Sequence, residues 1–117
     1  GGTQRLTRAA GPRFTKELVL TGRFATTAEL AERGLITRTC PTEEVLTEAM
    51  GLATAIAGNA PLAVRAAKQL VDDGSRMPLE VALTAEQATL ARLFASADAR
   101  EGVAAFIGKR DAVFTGD

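Results

Sequence analysis

Apolar side chains recur at helical spacing along most of this chain. Leu62, Ala66 and Leu70, for example, fall on one stripe of a helix that would turn this face toward a core. Glycine, proline and small polar residues interrupt the pattern at positions where helices begin and end. The periodic segments predict helices over residues 3–10, 13–20, 26–34, 43–58, 61–74, 78–95 and 98–108. The chain is therefore predicted to be mainly α-helical.

Two of these helices begin with the spacing of a capping box, at Thr26 with Glu29 and at Asp98 with Glu101. We predict that Thr26 and Asp98 are the residues that cap them. The segment 35–40, Leu-Ile-Thr-Arg-Thr-Cys, is different because it alternates and is rich in β-branched residues. It is predicted to be a strand that ends at Pro41.

Composition narrows the possible partners. The 14 basic and 14 acidic residues cancel, which argues against nucleic acid, because neutralising phosphates requires a basic excess. No run of about 18 apolar residues is present, so no membrane span is predicted. Aromatic residues make up only 4% of the chain, so Ala, Leu, Val and Ile must supply most of any core.

The reactive side chains exclude several kinds of catalytic site. Histidine is absent, which excludes Ser–His and Cys–His nucleophilic pairs and histidine metal ligands within these residues. The single Cys40 cannot form an internal disulfide and is interpreted as a packing residue in a reducing compartment. Asp72 and Asp73 lack the ligand array of a calcium loop, and Glu86 is interpreted as a carboxylate that flanks an apolar helix face. No metal site is predicted.

An ordered series of short segments resembles a known family. In chain order, the segments occupy residues 1–6 (Gly-Gly-Thr-Gln-Arg-Leu), 17–22, 31–35, 59–63, 66–68, 92–95, 98–102 and 105–110. Together they resemble the C-terminal portion of an enoyl-CoA hydratase/isomerase (crotonase) family member. The chain opens inside one of these motifs, so we expect the natural polypeptide to extend upstream of Gly1.

The resemblance implies a fold. Members of this family have a core of repeated ββα turns followed by a helical region, the α/β crotonase (ClpP/crotonase-like) fold. Residues 1–25 would then be the end of the core. Residues 26–117 would be the helical C-terminal oligomerisation region, which assembles homotrimers or hexamers that are dimers of trimers.

The resemblance also implies an activity, the addition of water to the 2,3-double bond of an enoyl-CoA in fatty-acid or related acyl-CoA metabolism. Two backbone N–H groups would hold the thioester oxygen and two glutamates would manage the water and its proton. In the family pattern these groups precede Gly1, so no catalytic residue is assigned within the chain. Coenzyme A would enter as part of the substrate, with no separate cofactor, and the protein is expected to be cytoplasmic.

Four residues are site candidates by the same resemblance. Phe106 corresponds to an apolar residue near the adenine of CoA, and Lys109 to a base near its phosphates, where an ammonium is a suitable point charge. The two residues lie three positions apart, so they are predicted to share a helix face. Gly1 and Gly2 would lie close to the active site. The residues alone leave two simpler interpretations open: a core Phe106 with a solvated Lys109, and a tight turn before a helix at Gly1 and Gly2.

Two classes of function therefore remain. The first is the enzyme, a hydratase or one of the isomerases and other acyl-CoA enzymes of the family. The alternative is a non-catalytic, truncated crotonase-like module for assembly or CoA binding, which would dock on a full-length homologue.

Overall fold

The computed structural model describes all 117 residues, and its regular structure is entirely helical. A π-helical turn at Gly2–Leu6 leads into α1, and a 3₁₀ turn at Thr42–Glu44 leads into α4. The α-helices are α1 (Thr7–Ala10), α2 (Pro12–Thr21), α3 (Thr27–Glu32), α4 (Val45–Ala57), α5 (Pro61–Gly74), α6 (Leu79–Phe94) and α7 (Ala97–Ile107). These bounds confirm the prediction of a mainly α chain.

The predicted strand at residues 35–40 is wrong. The segment follows a turn at Gly34 and carries neither helix nor strand. A strand needs a neighbour to pair its backbone N–H and C=O groups, and no other part of these 117 residues forms one. Alternation over these six residues therefore does not produce a strand.

The chain divides by its internal contacts into two units, Gly1–Leu46 and Thr47–Asp117. In the first unit, the π-helical turn, α1 and α2 pack on one another. Phe14 of α2 is buried, and the guanidinium of Arg33 lies 4.0 Å from the centre of its ring, a cation–π contact. The boundary predicted at residue 25 separates the core of the family fold from its helical region. The division at Leu46 is based on contacts within the chain and does not test that boundary, which stays a prediction.

Arg23 ties the end of α2 to the start of α3. Its Nη2 lies 2.7 Å from Glu17 Oε1 and 3.0 Å from Glu29 Oε1. Glu29 also accepts the backbone N–H of Thr26 at 2.8 Å, while the Thr26 hydroxyl accepts the N–H of Glu29 at 3.2 Å. The capping box predicted at Thr26 is confirmed. The Thr26 N–H and then Arg23 stabilise the carboxylate, which lowers the pKa of Glu29 from 4.5 to about 2.

This lowered pKa predicts an acid-sensitive junction. The folded state favours ionised Glu29, so the contribution to stability is complete above pH 4.5 and is lost as the pH falls toward 2. We expect Glu29→Gln to flatten the fall in the free energy of unfolding between these pH values, measured by urea unfolding. Glu32→Gln, on the same helix but outside the Arg23 network, controls for net charge. An unchanged acid limb in Glu29→Gln would contradict the assignment.

In the second unit, α6 packs against both α5 and α7. Proline opens α5 at Pro61 and precedes α6 at Pro78, because its fixed φ and missing N–H suit the start of a helix. The connection between the two helices is short, and a side-chain carbon added at Gly74 would lie 3.6 Å from the Cβ of Ala82. None of the helices is long and apolar enough to cross a membrane.

The capping box predicted at Asp98 is wrong. Ser96 caps α7, with its hydroxyl accepting the N–H of Ala99 at 3.0 Å. Asp98 lies inside the first turn, is only 3% exposed, and accepts the backbone N–H groups of Thr115 at 2.7 Å and Gly116 at 2.9 Å. In return, the backbone oxygen of Asp117 accepts the N–H of Ala97 at 2.8 Å. The first turn of α7 and the tail therefore hold each other.

Little of the chain is fully buried. The only apolar residues in that class are Phe14 and Ala105, and the only polar ones are Thr15 and Asp98. Every residue of α4 is exposed, although this helix is largely apolar. Its large exposed side chains are Val45, Leu46, Met50, Leu52 and Ile56.

Candidate functional site

The end of α7 carries both residues that the sequence associates with CoA. The N–H of Arg110 donates to the carbonyl of Ala105 at 3.1 Å, and the N–H of Lys109 donates to that of Phe106 at 3.3 Å. These two bonds form a Schellman motif, in which the residue after the C-cap adopts a left-handed conformation. That residue is Lys109, with φ +50°, the only non-glycine residue of the chain with positive φ.

Lysine is an unusual residue for this position, because its Cβ crowds the following carbonyl in the left-handed region. Glycine is preferred there, and another L-residue costs about 1 kcal/mol. The adjacent glycine stands one residue earlier, at Gly108, where an added Cβ would approach the Ala104 carbonyl oxygen to 3.2 Å. The sequence therefore holds an ammonium where glycine would be more stable, and such strain is typical of functional positions.

Phe106 and Lys109 do not share a helix face, contrary to the prediction from their spacing. The helix ends at Ile107, so Lys109 lies beyond it and takes its direction from the left-handed turn. Both side chains are exposed, and Phe106 retains 86% of its surface. The interpretation of Phe106 as a core residue therefore fails for this chain. The contact of both residues with CoA stays a prediction.

Arg110 is held in a two-pronged ion pair with Glu101, which we call the Glu101–Arg110 clamp. Nη1 lies 2.6 Å from Glu101 Oε1, and Nη2 lies 2.8 Å from Oε2. Arg110 and then the N–H of Val113, which donates to Oε1 at 2.9 Å, lower the pKa of Glu101 to about 2. The ammonium of Lys109 makes no such contact within the chain. Lys109 is therefore the free cation at this end of α7.

Gly1 and Gly2 begin the first helical turn. The carbonyl of Gly1 accepts the N–H of Arg5 at 2.8 Å, and Gly2 is the first residue of the π-helical turn. A side-chain carbon at Gly1 would lie 2.4 Å from Nε of Arg5, whereas at Gly2 it would meet nothing within 4 Å. The two glycines therefore begin the helical turn itself, and no separate tight turn precedes it. Their proximity to an active site stays a prediction.

Two apolar grooves lie on the second unit. One, of about 520 Å³, runs between α5 and α6 and includes Leu70, Leu83 and Glu86 in its lining. Glu86 is exposed and belongs to this lining, and its interpretation as a flanking carboxylate stays a prediction. The other, of about 310 Å³, is lined by residues that include Leu93, Phe94 and Phe114. The structure contains no group of three His, Cys, Asp or Glu side chains that could hold a metal ion.

Sequence reasoning missed both acidic anchors of α7. The spacing of Asp98 and Glu101 indicated a capping box, but each carboxylate instead binds the chain that follows the helix. Ser96, two residues upstream, was the signal for the true cap. Glu101 and Arg110 are nine residues apart across a helix end, a spacing that helical periodicity does not connect.

Comparison with known proteins agrees with this helical architecture. Residues 1–117 match the family model described as enoyl-CoA hydratase/isomerase. The chain therefore belongs to the enoyl-CoA hydratase/isomerase family, and the predicted relationship is confirmed.

Individual relatives support the same assignment. The chain is 42% identical over 115 residues to the probable enoyl-CoA hydratase echA8 of Mycobacterium tuberculosis, covering 98% of this chain and 45% of that protein. It is 35% identical over 116 residues to the 2,3-dehydroadipyl-CoA hydratase of Escherichia coli, covering 99% of this chain and 46% of that protein. The chain thus spans about 45% of the length of these curated relatives.

Solved structures agree on the fold. An enoyl-CoA hydratase from Bacillus anthracis superposes with a TM-score of 0.93 at 36% identity, covering all of this chain and 45% of that one. An enoyl-CoA hydratase/isomerase from Mycobacterium abscessus, described as putative, gives 0.89 at 38% identity, covering all of this chain and 48% of that one. The prediction that the chain forms a helical part of the crotonase fold is confirmed.

Proposed function

We propose that the natural polypeptide containing this sequence adds water to the 2,3-double bond of an enoyl-CoA, in fatty-acid or related acyl-CoA metabolism. The observation that carries the proposal is the match of all 117 residues to the family, together with relatives named as enoyl-CoA hydratases. Within this assignment, the chain forms the C-terminal helical portion, and the groups that activate water and hold the thioester oxygen lie elsewhere in the polypeptide.

In this proposal, the end of α7 contacts the nucleotide part of CoA. Lys109 offers an uncompensated, exposed ammonium to the phosphates, and the exposed ring of Phe106 offers an apolar surface to the adenine. Coenzyme A enters with the substrate, and water is the second reactant, so no separate cofactor is proposed. Gly1 and Gly2 lie near the reacting thioester, where small residues permit close backbone approach.

The exposed apolar side chains of α4 support assembly. We propose that α4 joins copies of the protein into a homotrimer, or into a hexamer built from two trimers. Apolar helix faces of this kind are buried in subunit or domain interfaces, because exposed apolar patches otherwise favour association without a defined partner.

We also propose that the reaction takes place in the cytoplasm.

The activity is tested with the natural polypeptide and two thioesters. We expect a 2-enoyl-CoA to lose its conjugated absorbance as water adds, and the 3-hydroxyacyl-CoA product to appear in mass spectrometry. A 3-enoyl-CoA that is converted to the 2-enoyl isomer, with no hydration of either, would replace hydratase with isomerase. Failure to act on both thioesters while binding CoA would favour the non-catalytic module.

Replacement of Lys109 separates its structural cost from its proposed function. Lys109→Gly is expected to raise the free energy of unfolding by about 1 kcal/mol, because glycine adopts positive φ without strain. The same change is expected to raise the KM for enoyl-CoA about tenfold, as loss of a charge-assisted phosphate contact does. Urea unfolding and steady-state kinetics measure the two effects.

Lys109→Ala is the matched control, because it removes the ammonium but keeps the strained backbone. Lys109→Ala is expected to raise the KM for enoyl-CoA as much as Lys109→Gly does, without raising the free energy of unfolding. If Lys109→Gly were more stable and used enoyl-CoA as well as the unmodified protein, the contact between Lys109 and CoA would be disproved.

A further inference from the structure

We propose that Glu101 is a positioning residue, which acts through Arg110 to fix the direction in which Lys109 presents its ammonium to a phosphate of CoA. The inference rests on the proposed contact between Lys109 and CoA, and adds to it the group that holds this contact in place. It concerns binding of the substrate's nucleotide part and assigns Glu101 no role in the chemical step.

The first argument is the position of Lys109 between two fixed points. On its N-terminal side, α7 ends in the two backbone bonds of the Schellman motif. On its C-terminal side, the Glu101–Arg110 clamp holds the next residue by two short hydrogen bonds. A lysine with positive φ is strained, and it persists only where several surrounding contacts hold its backbone in that conformation. The clamp is the side-chain contribution to that requirement.

The second argument is the number of bonds that converge on Glu101. Its carboxylate takes both prongs of the Arg110 guanidinium and also accepts the backbone N–H of Val113 at 2.9 Å. The same guanidinium donates to the carbonyl of Asp111 at 3.0 Å. One carboxylate therefore fixes the chain on the far side of Lys109 at several points. The geometry is that of a planar fork, which orients as well as attracts.

The third argument is the distribution of charge. Lys109 and Arg110 are adjacent cations, but Glu101 compensates only Arg110. The side-chain ammonium of Lys109 makes no hydrogen bond or ion pair within the chain. An approaching phosphate therefore meets a single uncompensated ammonium, that of Lys109, on a residue whose backbone conformation is fixed. Without Glu101, Arg110 would be uncompensated as well and would lose the fork that holds it beside Lys109.

The test removes the clamp without changing net charge. In the natural polypeptide, Glu101→Gln with Arg110→Gln is compared with Asp72→Asn with Lys68→Gln, which removes an exposed 2.6 Å ion pair on α5 and is also neutral overall. KM and kcat are measured for an enoyl-CoA and for the corresponding enoyl-pantetheine, which lacks the nucleotide and its phosphates. Thermal unfolding checks that each variant is folded.

Loss of positioning should affect only the substrate that carries phosphates. We expect the clamp variant to raise the KM for enoyl-CoA about fivefold, with kcat and the KM for enoyl-pantetheine within about twofold. In a Lys109→Ala background the same pair of changes should have no further effect, because Glu101 acts through Lys109. Arg110→Lys keeps the positive charge but loses the two-pronged guanidinium, and it should give a smaller rise in the KM for enoyl-CoA. If the double variant does not fold, Arg110→Lys replaces it in the test.

Three results would overturn the inference. Equal effects on both thioesters would mean that the clamp is only structural. An unchanged or lowered KM for enoyl-CoA would mean that Lys109 needs no positioning, provided that Lys109→Ala still raises it. If Lys109→Ala itself leaves that KM unchanged, the proposed CoA contact fails and the positioning role fails with it.

Discussion

Asp98→Ala is expected to lower the free energy of unfolding by about 3 kcal/mol, one of the two largest effects that the structure predicts. The Asp98 carboxylate is almost fully buried and accepts two backbone N–H groups of the tail, at 2.7 and 2.9 Å. It also lies in the first turn of α7, where the helix dipole favours negative charge. Alanine removes both of these bonds and leaves the end of the tail held by the backbone bond from Ala97 to Asp117.

Two variants sharpen this measurement, which is made by urea unfolding of the natural polypeptide. Asp98→Asn keeps one acceptor oxygen but places an amide donor near the second N–H, so an intermediate loss of about 2 kcal/mol is expected. Asp111→Ala removes an exposed carboxylate from the same tail and should change stability by less than about 0.5 kcal/mol. A loss in Asp98→Ala no larger than that of the control would contradict the interlock of tail and helix.

A polypeptide restricted to these 117 residues is expected not to form a stable monomer. The structure fully buries only two apolar residues, Phe14 and Ala105, whereas every residue of the apolar helix α4 is exposed. Ordering a chain costs conformational entropy at every residue, and burial this sparse does not offset it. The exposed apolar faces should therefore associate with one another.

Light scattering after size exclusion measures this association, and heating followed by circular dichroism measures cooperativity. We expect broad, concentration-dependent species without a sharp unfolding transition. Leu46→Lys with Met50→Lys, at exposed positions of α4, should reduce the association, whereas Glu43→Lys changes the net charge by the same two units just before the helix and serves as control. A monodisperse 12.2 kDa species with a sharp transition would contradict the prediction.

The helices could be predicted from the sequence because their determinants are local. Thr26 and Glu29 form the predicted capping box, and Pro61 lies at the start of α5 as its fixed φ requires. The strand at residues 35–40 could not be judged in this way, because a strand exists only with a partner and the alternation of side chains does not supply one. The capping residue of α7 was misassigned because Asp98 binds a segment seventeen residues away.

The candidate site was predictable only in part. The resemblance to the family selected Phe106 and Lys109, but the assumption of a continuous helix placed them on a common face. The left-handed turn at Lys109 is closed by the bond from the N–H of Arg110 to Ala105, and the Arg110 side chain also binds Glu101; helical periodicity predicts neither contact. The ionic partners of Arg23 were likewise not predicted, because it bridges residues six positions before and after it across a loop.

We propose that these residues are the helical portion of a larger polypeptide whose other part carries the hydration chemistry. The most direct test is the intact mass of the protein that contains this sequence, purified from its natural source, together with an assay of the same fraction on an enoyl-CoA. A mass well above 12.2 kDa, with this sequence present in the same polypeptide, is the result that we predict. A mass near 12.2 kDa in a fraction without hydratase activity would contradict the claim and favour the non-catalytic module.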